Sequence, residues 1–397
     1  MKPSHRMRRV AVLLHRWVGL CIALFLLLAG VSGTLLAFND EIEGWLNPQL
    51  FYVTPPSPAA AMLDPLELRE RLSQRHPQLA FNGIDFTTQP GHAMLMSVEG
   101  SPEADQWFVN PYDASVLGTR HSGDLSQGTR SLMPFVNELH TSLALGEVGT
   151  LVLGVVALLW TLDCVVGFYL TLPLAIRQPG QRSYWQRWQP AWLLRWRAGA
   201  AKLTFDLHRA AGLWFWGMLL VLAWSSVAFN LAPVYTPVMR LFSDYQPEPD
   251  RPTPRVAPAG VKPLGWYLAL DVMRQEMARL AAQQHFTVRS ERLMFYSPEQ
   301  GIYEYRVLST LDPGDRMGNT TLLLDAYSGN IVQRKFPTGE HAGNTITAWL
   351  MALHTVTTGG MLVQLLVSIT GIVVALLSVT GVLIWLRRYR ARRVARH

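Results

Sequence analysis

The sequence predicts a membrane protein: a four-helix transmembrane bundle with two extracytoplasmic α+β domains, built by internal duplication. Three observations lead there. Four long stretches are almost free of charge, basic residues collect on one side of those stretches, and the two halves repeat the same short motifs in the same order. Of 397 residues, 49% are apolar and 16% charged, against about 25% charged in soluble domains, which excludes an ordinary soluble enzyme. The net charge of +7 does not indicate nucleic acid, because the excess flanks the apolar stretches instead of covering one surface.

Residues 1–38 begin with five basic side chains (Lys2, Arg6, Arg8, Arg9, Arg16) and continue into the charge-free run Trp17 to Phe38. About 20 residues at ~1.5 Å rise cross the ~30 Å hydrocarbon layer. The run exceeds the apolar core of a cleaved signal, and no small-x-small site precedes Asn39, so it is expected to remain as the first membrane helix. Residues 39–133 form the first outward domain. Asp64-Pro65 opens a short helix to His76, and strand-like pieces follow at Phe81 to Phe86, Ala93 to Val98 and Gln106 to Asn110. The turn Pro111-Tyr112-Asp113-Ala114-Ser115 comes next.

Residues 134–176 supply the second membrane helix, whose apolar part carries the single acid Asp163. That carboxyl is expected either to carry a proton that compensates an electron or to hydrogen-bond a neighbouring helix. In the basic loop 177–206, Trp185, Trp188, Trp192 and Trp196 alternate with Arg182, Arg187, Arg195 and Arg197, which suggests an amphipathic segment on the anionic inner leaflet. Residues 207–239 form the third membrane helix. Residues 240–341 hold a stiff connector with six prolines between Gln246 and Pro263, then the second outward domain. Its helix spans Trp266 to His285, its strands lie near Leu293 to Tyr296, Tyr303 to Leu308 and Thr321 to Asp325, and its matching turn is Ala326-Tyr327-Ser328-Gly329-Asn330.

Residues 342–389 are too long for one crossing, so Met361 to Leu386 is expected to span and the preceding part to overhang. Residues 390–397 are a basic tail. Lys and Arg therefore put both termini and the 177–206 loop in the cytoplasm, whereas the two outward segments hold 17 basic and 26 acidic residues. Both cysteines, Cys21 and Cys164, fall in membrane helices, which leaves the outward domains without a disulfide.

The repeat directs attention to four histidines. The first and third helices open with Leu14-His15-Arg16-Trp17-Val18-Gly19-Leu20 and Leu207-His208-Arg209-Ala210-Ala211-Gly212-Leu213. The second and fourth are approached through Leu139-His140-Thr141 and Leu353-His354-Thr355, each with a glycine 27 residues after its histidine, Gly167 and Gly381. His15 and His208 belong near the cytoplasmic face, His140 and His354 at the outer face. One such histidine is explained by an interhelical hydrogen bond. Four in matched pairs point to ligation. Zinc wants four ligands, or three plus water, and no carboxylate or cysteine stands one helical turn from any of the four. Heme iron wants two axial ligands on opposite sides of a flat ring, which two helices supply. Gly19 and Gly212 lie one turn after the inner histidines and would leave room for a porphyrin. Gly146, Gly149, Gly359 and Gly360 are looser counterparts on the outer side. Two bis-histidine hemes would be six-coordinate and would pass single electrons across the membrane. Arg16 and Arg209 would pair with heme propionates or serve as ordinary positive-inside anchors.

The His-Arg-x-x-Gly helix start, the Leu-His-Thr segments and the turns Asn110-Pro111-Tyr112-Asp113-Ala114 and Asp325-Ala326-Tyr327-Ser328-Gly329 resemble the PepSY-associated transmembrane helix family over nearly the whole chain. Within it the chain looks most like the FoxB-type inner-membrane ferric-siderophore (ferrioxamine) reductases. The resemblance implies two heme b groups held by His15, His208, His140 and His354, two periplasmic PepSY domains, and reduction of a ferric siderophore in the periplasm of a bacterium so that iron is released for uptake. The first turn departs from the pattern, with Ala114-Ser115 where the second has Ser328-Gly329. No nucleotide or flavin motif is present, so the electron donor is expected to be external, a quinol or a cytoplasmic reductase. Two other functions remain open: a heme relay to a separate periplasmic redox partner, and a heme-free regulatory or scaffold protein whose PepSY modules bind peptide. No residue cluster in the outward domains marks a substrate site; His341 is a bare candidate.

Overall fold

The computed structural model describes residues 3–99, 101, 104–173, 183–247, 253 and 260–394. The first half runs α1 (Pro3–Leu36), α2 (Asn39–Leu46), α3 (Pro48–Phe51), α4 (Pro65–Arg75), β1 (Ala80–Phe81), β2 (Gly83–Asp85), β3 (Met94–Glu99), β4 (Gln106–Val109), β5 (Val116–Arg120), α5 (Leu132–Ser142) and α6 (Gly146–Thr171). After α7 (Tyr184–Trp188) the second half runs α8 (Ala200–Trp214), α9 (Trp216–Asn230), α10 (Ala232–Phe242), α11 (Trp266–Gln284), β6 (Val288–Ser297), β7 (Ile302–Ser309), β8 (Thr320–Asp325), β9 (Ile331–Lys335), α12 (Ala342–His354) and α13 (Gly360–Val394). Much of the connector 246–263 and the start of the basic loop, Arg182 included, lie outside the described residues.

Among the described residues three helices are long and apolar enough to cross a membrane, Arg6–Leu36, Gly146–Thr171 and Gly360–Arg393; the pair α8 and α9 qualifies together, bent by 70° at Phe215. Their outward faces carry exposed Leu24, Val31, Leu151, Val155, Leu162, Ile369 and Ile372, an apolar surface that only lipid or a partner would cover. The inward faces meet through glycine. A Cβ on Gly30 would come 2.6 Å from the Gly371 carbonyl oxygen, and one on Gly371 would come 2.7 Å from the Gly30 oxygen, so α1 and α13 cross with their backbones touching.

The second and fourth apolar runs are not single rods. Each is split just after its histidine by residues in the left-handed region: Leu143 and Ala144 with Gly146, then Val356 with Gly359 and Gly360. A short helix ending near the histidine (α5, α12) thus precedes each membrane helix (α6, α13). Gly146, Gly359 and Gly360 supply these reversals, and a Cβ on Gly149 would collide with the Ser142 backbone. Gly146, Gly359 and Gly360 thus turn the chain and Gly149 packs against it, and none of the four lines the cavity of a histidine pair, contrary to the sequence expectation.

In the sheet region α4 begins as its sequence predicts: Asp64 accepts from the Leu66 and Glu67 amides at 2.9 and 3.3 Å, with Pro65 in the first turn. The strand expected over Phe81 to Phe86 differs. It breaks at Asn82, whose N–H donates to Ser97 O (3.1 Å) while its carbonyl accepts from Tyr296 N–H (2.8 Å). β1 accordingly joins the sheet β1-β3-β4-β5, whereas β2 joins β2-β6-β7-β8-β9. A strand of the first half thus completes the sheet of the second. One apolar core runs through both, from Leu68, Leu72 and Phe81 to Met273, Met294 and Leu322. The two outward domains expected from the sequence therefore share one core.

The Trp- and Arg-rich loop forms no long amphipathic helix among the described residues. α7 is five residues, capped by Ser183, and gives way to a 3-10 turn at Pro190. Trp188 packs edge-on against Trp192 and Phe168 and donates its indole N–H to Thr171 (3.3 Å). Trp185 and Trp196 remain exposed.

Candidate functional site with two facing histidine pairs

Helix geometry brings the four histidines together two by two. His15 on α1 faces His208 on α8 with ring centroids 6.1 Å apart, and His140 at the end of α5 faces His354 at the end of α12 at 6.2 Å. Backbone glycines make the approach possible. A Cβ on Gly167 would lie 3.3 Å from His15 Cε1, and one on Gly381 3.3 Å from His208 Cε1. The two repeat-matched glycines thus back the first pair. Gly33 does the same for His140, at 3.0 Å.

Each ring is oriented through Nδ1. His140 Nδ1–H donates to Ser32 Oγ (2.9 Å), His354 to Ser225 Oγ (2.7 Å), His208 to Thr380 Oγ1 (3.0 Å) and His15 to Asp163 Oδ1 (2.9 Å). The three hydroxyls spend their own protons on the helix carbonyls of Leu28, Val221 and Leu376 and can therefore only accept from the imidazole. A carboxylate likewise accepts. All four rings are thereby held as the Nδ1–H tautomer, with the lone pair on Nε2. A second partner on the far nitrogen is the usual arrangement for a metal-binding histidine.

Both pairs sit in cavities. The first measures about 450 Å³ and is lined by Gly19, Gly212, Asp163, Arg8, Arg16 and Arg209. The second measures about 880 Å³, lined by Gly30, Gly33, Gly371, Phe229 and Asn137, and it reaches Arg120 and Met317 of the sheet region. Both volumes suit a cofactor, for which pockets run ~300–1,000 Å³. Leu26 and Trp160 line both cavities, so the wall between them is one layer of side chains.

The fit to heme follows from these measurements. A metal–imidazole bond of about 2 Å plus about 1 Å from nitrogen to ring centre, taken twice, puts two trans imidazole centroids roughly 6 Å apart. Both pairs have that separation. Arg209 Nε is buried without a hydrogen-bond partner among the described residues, although the same guanidinium holds Asp206 (3.0 Å) and the Pro190 carbonyl (2.6 Å). Arg16 and Arg209 both line the first cavity, where carboxylates of a bound ring would meet them.

Sequence reasoning missed the hydroxyls and part of the second cavity. Ser32 follows His15, and Ser225 follows His208, by seventeen residues, so the repeat contained the signal. Asp163 does hydrogen-bond a neighbouring helix, and its partner is His15 itself. His341 lies away from both pairs: it begins α12 and donates to Asp244 at 2.7 Å. That bond holds the Asp244 carboxyl below the usual carboxylate range. Its contribution to anchoring α12 is therefore present above that range and is lost as the pH falls below it through the lowered pKa.

The fold and site define a multi-pass membrane protein with mixed α/β content outside its apolar helices. The model of the PepSY-associated TM region matches residues 12–388, and the chain belongs to that family. No curated protein matches the chain.

Proposed function

We propose that this protein is a di-heme transmembrane oxidoreductase that carries electrons across the bacterial inner membrane to ferric siderophores in the periplasm. The carrying observation is the spacing of the two histidine pairs, each about 6 Å between rings, in cavities that share Trp160 and Leu26. In this reading α8 and α9 are one broken span, the bundle has four spans, and the sheet region is a pair of duplicated PepSY modules. Both termini face the cytoplasm, following the basic residues at the ends of the sequence.

His15 and His208 would hold one heme b and His140 and His354 the other. A bis-histidine heme supplies reversible one-electron transfer and offers no open iron position. The protein's own part is positional. Ser32, Ser225, Thr380 and Asp163 fix the imidazole tautomers, Gly33, Gly167 and Gly381 admit the rings, and the apolar helices keep water from the path. Arg16 and Arg209, which line the first cavity, would pair with heme propionates at the cytoplasmic end. The second cavity extends past Asn137 on α5 to Arg120 and Met317 of the sheet region, which gives a ferric chelate a polar approach to the periplasmic end. One electron from an external quinol or cytoplasmic reductase converts ferric to ferrous siderophore, whose weaker iron binding releases the metal. The likeness to FoxB-type reductases supports this substrate class.

The test is direct. Full-length protein in detergent, reduced with dithionite, freed of the excess reductant by gel filtration under anaerobic conditions and then mixed with a ferric hydroxamate siderophore, is expected to lose its reduced heme bands while ferrous iron appears in a chromogenic trap. Reduced bands that persist in the presence of the chelate would favour a relay to a separate periplasmic partner. A colourless protein would favour the heme-free scaffold.

A further inference from the structure

The four imidazoles are not supported alike. Three donate to hydroxyls and one, His15, donates to a carboxylate. The difference breaks the internal repeat. With His140 aligned on His354, Asp163 corresponds to Leu377 and Thr380 to Val166. The acceptor for His15 therefore stands three residues earlier in its helix than the acceptor for His208 and is of another chemical type. Asp163 is largely enclosed, its side chain 11% exposed, and it faces the first cavity beside Gly19.

We propose that Asp163 is a positioning residue that lowers the reduction potential of the first centre, acting through the His15 imidazole. This rests on the heme reading above. A carboxylate is a stronger acceptor than a hydroxyl, and a hydrogen bond to it draws the Nδ1 proton and raises the donor strength of Nε2. A more basic axial ligand stabilises ferric over ferrous iron, and second-sphere hydrogen bonding is one of the means by which proteins set heme potentials. The arginines of the same cavity, Arg8, Arg16 and Arg209, push the other way through space, but propionates would offset their charge. The Asp163 contact acts through the ligand itself. An electron delivered to the first centre by the external donor is then held less tightly there and passes more readily to the second.

The experiment is a spectroscopic redox titration of full-length protein in a His354→Ala background, which leaves the first centre alone to be read. Asp163→Asn keeps an acceptor oxygen and removes the charge. It is expected to shift the reduction equilibrium toward ferrous heme by tenfold or more, 59 mV for a one-electron couple. Asp163→Glu should restore most of the original value. If Asp163→Asn fails to retain the first centre, Asp163→Thr, which supplies the acceptor type of the other three sites, should show the same upward shift. A potential unchanged by these replacements overturns the proposal, as does an equal upward shift with Asp163→Glu. Absence of heme bands from the wild-type protein would instead overturn the underlying reading, so the two failures are distinguishable.

Discussion

His208→Ala is expected to remove about half of the bound heme and leave the second centre intact, while His354→Ala should do the reverse. Each replacement takes one imidazole from a facing pair whose partner ring lies 6.1 or 6.2 Å away. The remaining ligand can hold the iron only from one side. The pairs draw on different helices, α1 with α8 and α5 with α12, so losing one need not disturb the other. Pyridine-hemochrome content per chain gives the fraction lost, and the redox titration gives the identity of the centre that survives. Unchanged heme content in either variant would contradict that ligand assignment.

Arg120→Ala is expected to destabilise the protein by about 3–5 kcal/mol, the cost of leaving a buried charge without its partner. Arg120 forms an ion pair with Glu43, their side chains only 5% and 8% exposed, and it also donates to Gln106 (2.6 Å) and to the Arg130 carbonyl (3.0 Å). The guanidinium rests over Phe108, 5.1 Å from the ring centre. Through these contacts it ties α2, at the end of the first membrane helix, to the edge strand β5 and to the wall of the second cavity. Combining Glu43→Gln with Arg120→Met should recover much of the loss, because no unpaired charge remains. Thermal unfolding in detergent measures both. A single-variant midpoint equal to that of the wild type would show that water reaches the pair.

The membrane segments and the histidine pairs are legible in the sequence because both rest on patterns that survive without tertiary context. Charge-free length reports a span, and repetition reports equivalence. The breaks after His140 and His354 are less legible: Leu143, Ala144 and Val356 adopt a left-handed backbone that their residue types disfavour, so packing imposes it. β2 is hidden for a different reason. An alternating strand reads identically whichever sheet accepts it, and only the backbone bonds of Asn82 to Ser97 and Tyr296 show the chain changing partners. Asp163 is visible as an intramembrane acid, yet spacing along one helix cannot tell which neighbour it meets. Ser32 and Ser225 are the instructive omission, since the repeat that selects the histidines also aligns them.

The most direct test of the account is heme stoichiometry with the visible spectrum of the full-length protein purified from heme-replete cells. Two hemes b per chain with six-coordinate, low-spin bands that sharpen on reduction are the predicted result. A polypeptide that folds, inserts and carries no tetrapyrrole would contradict it.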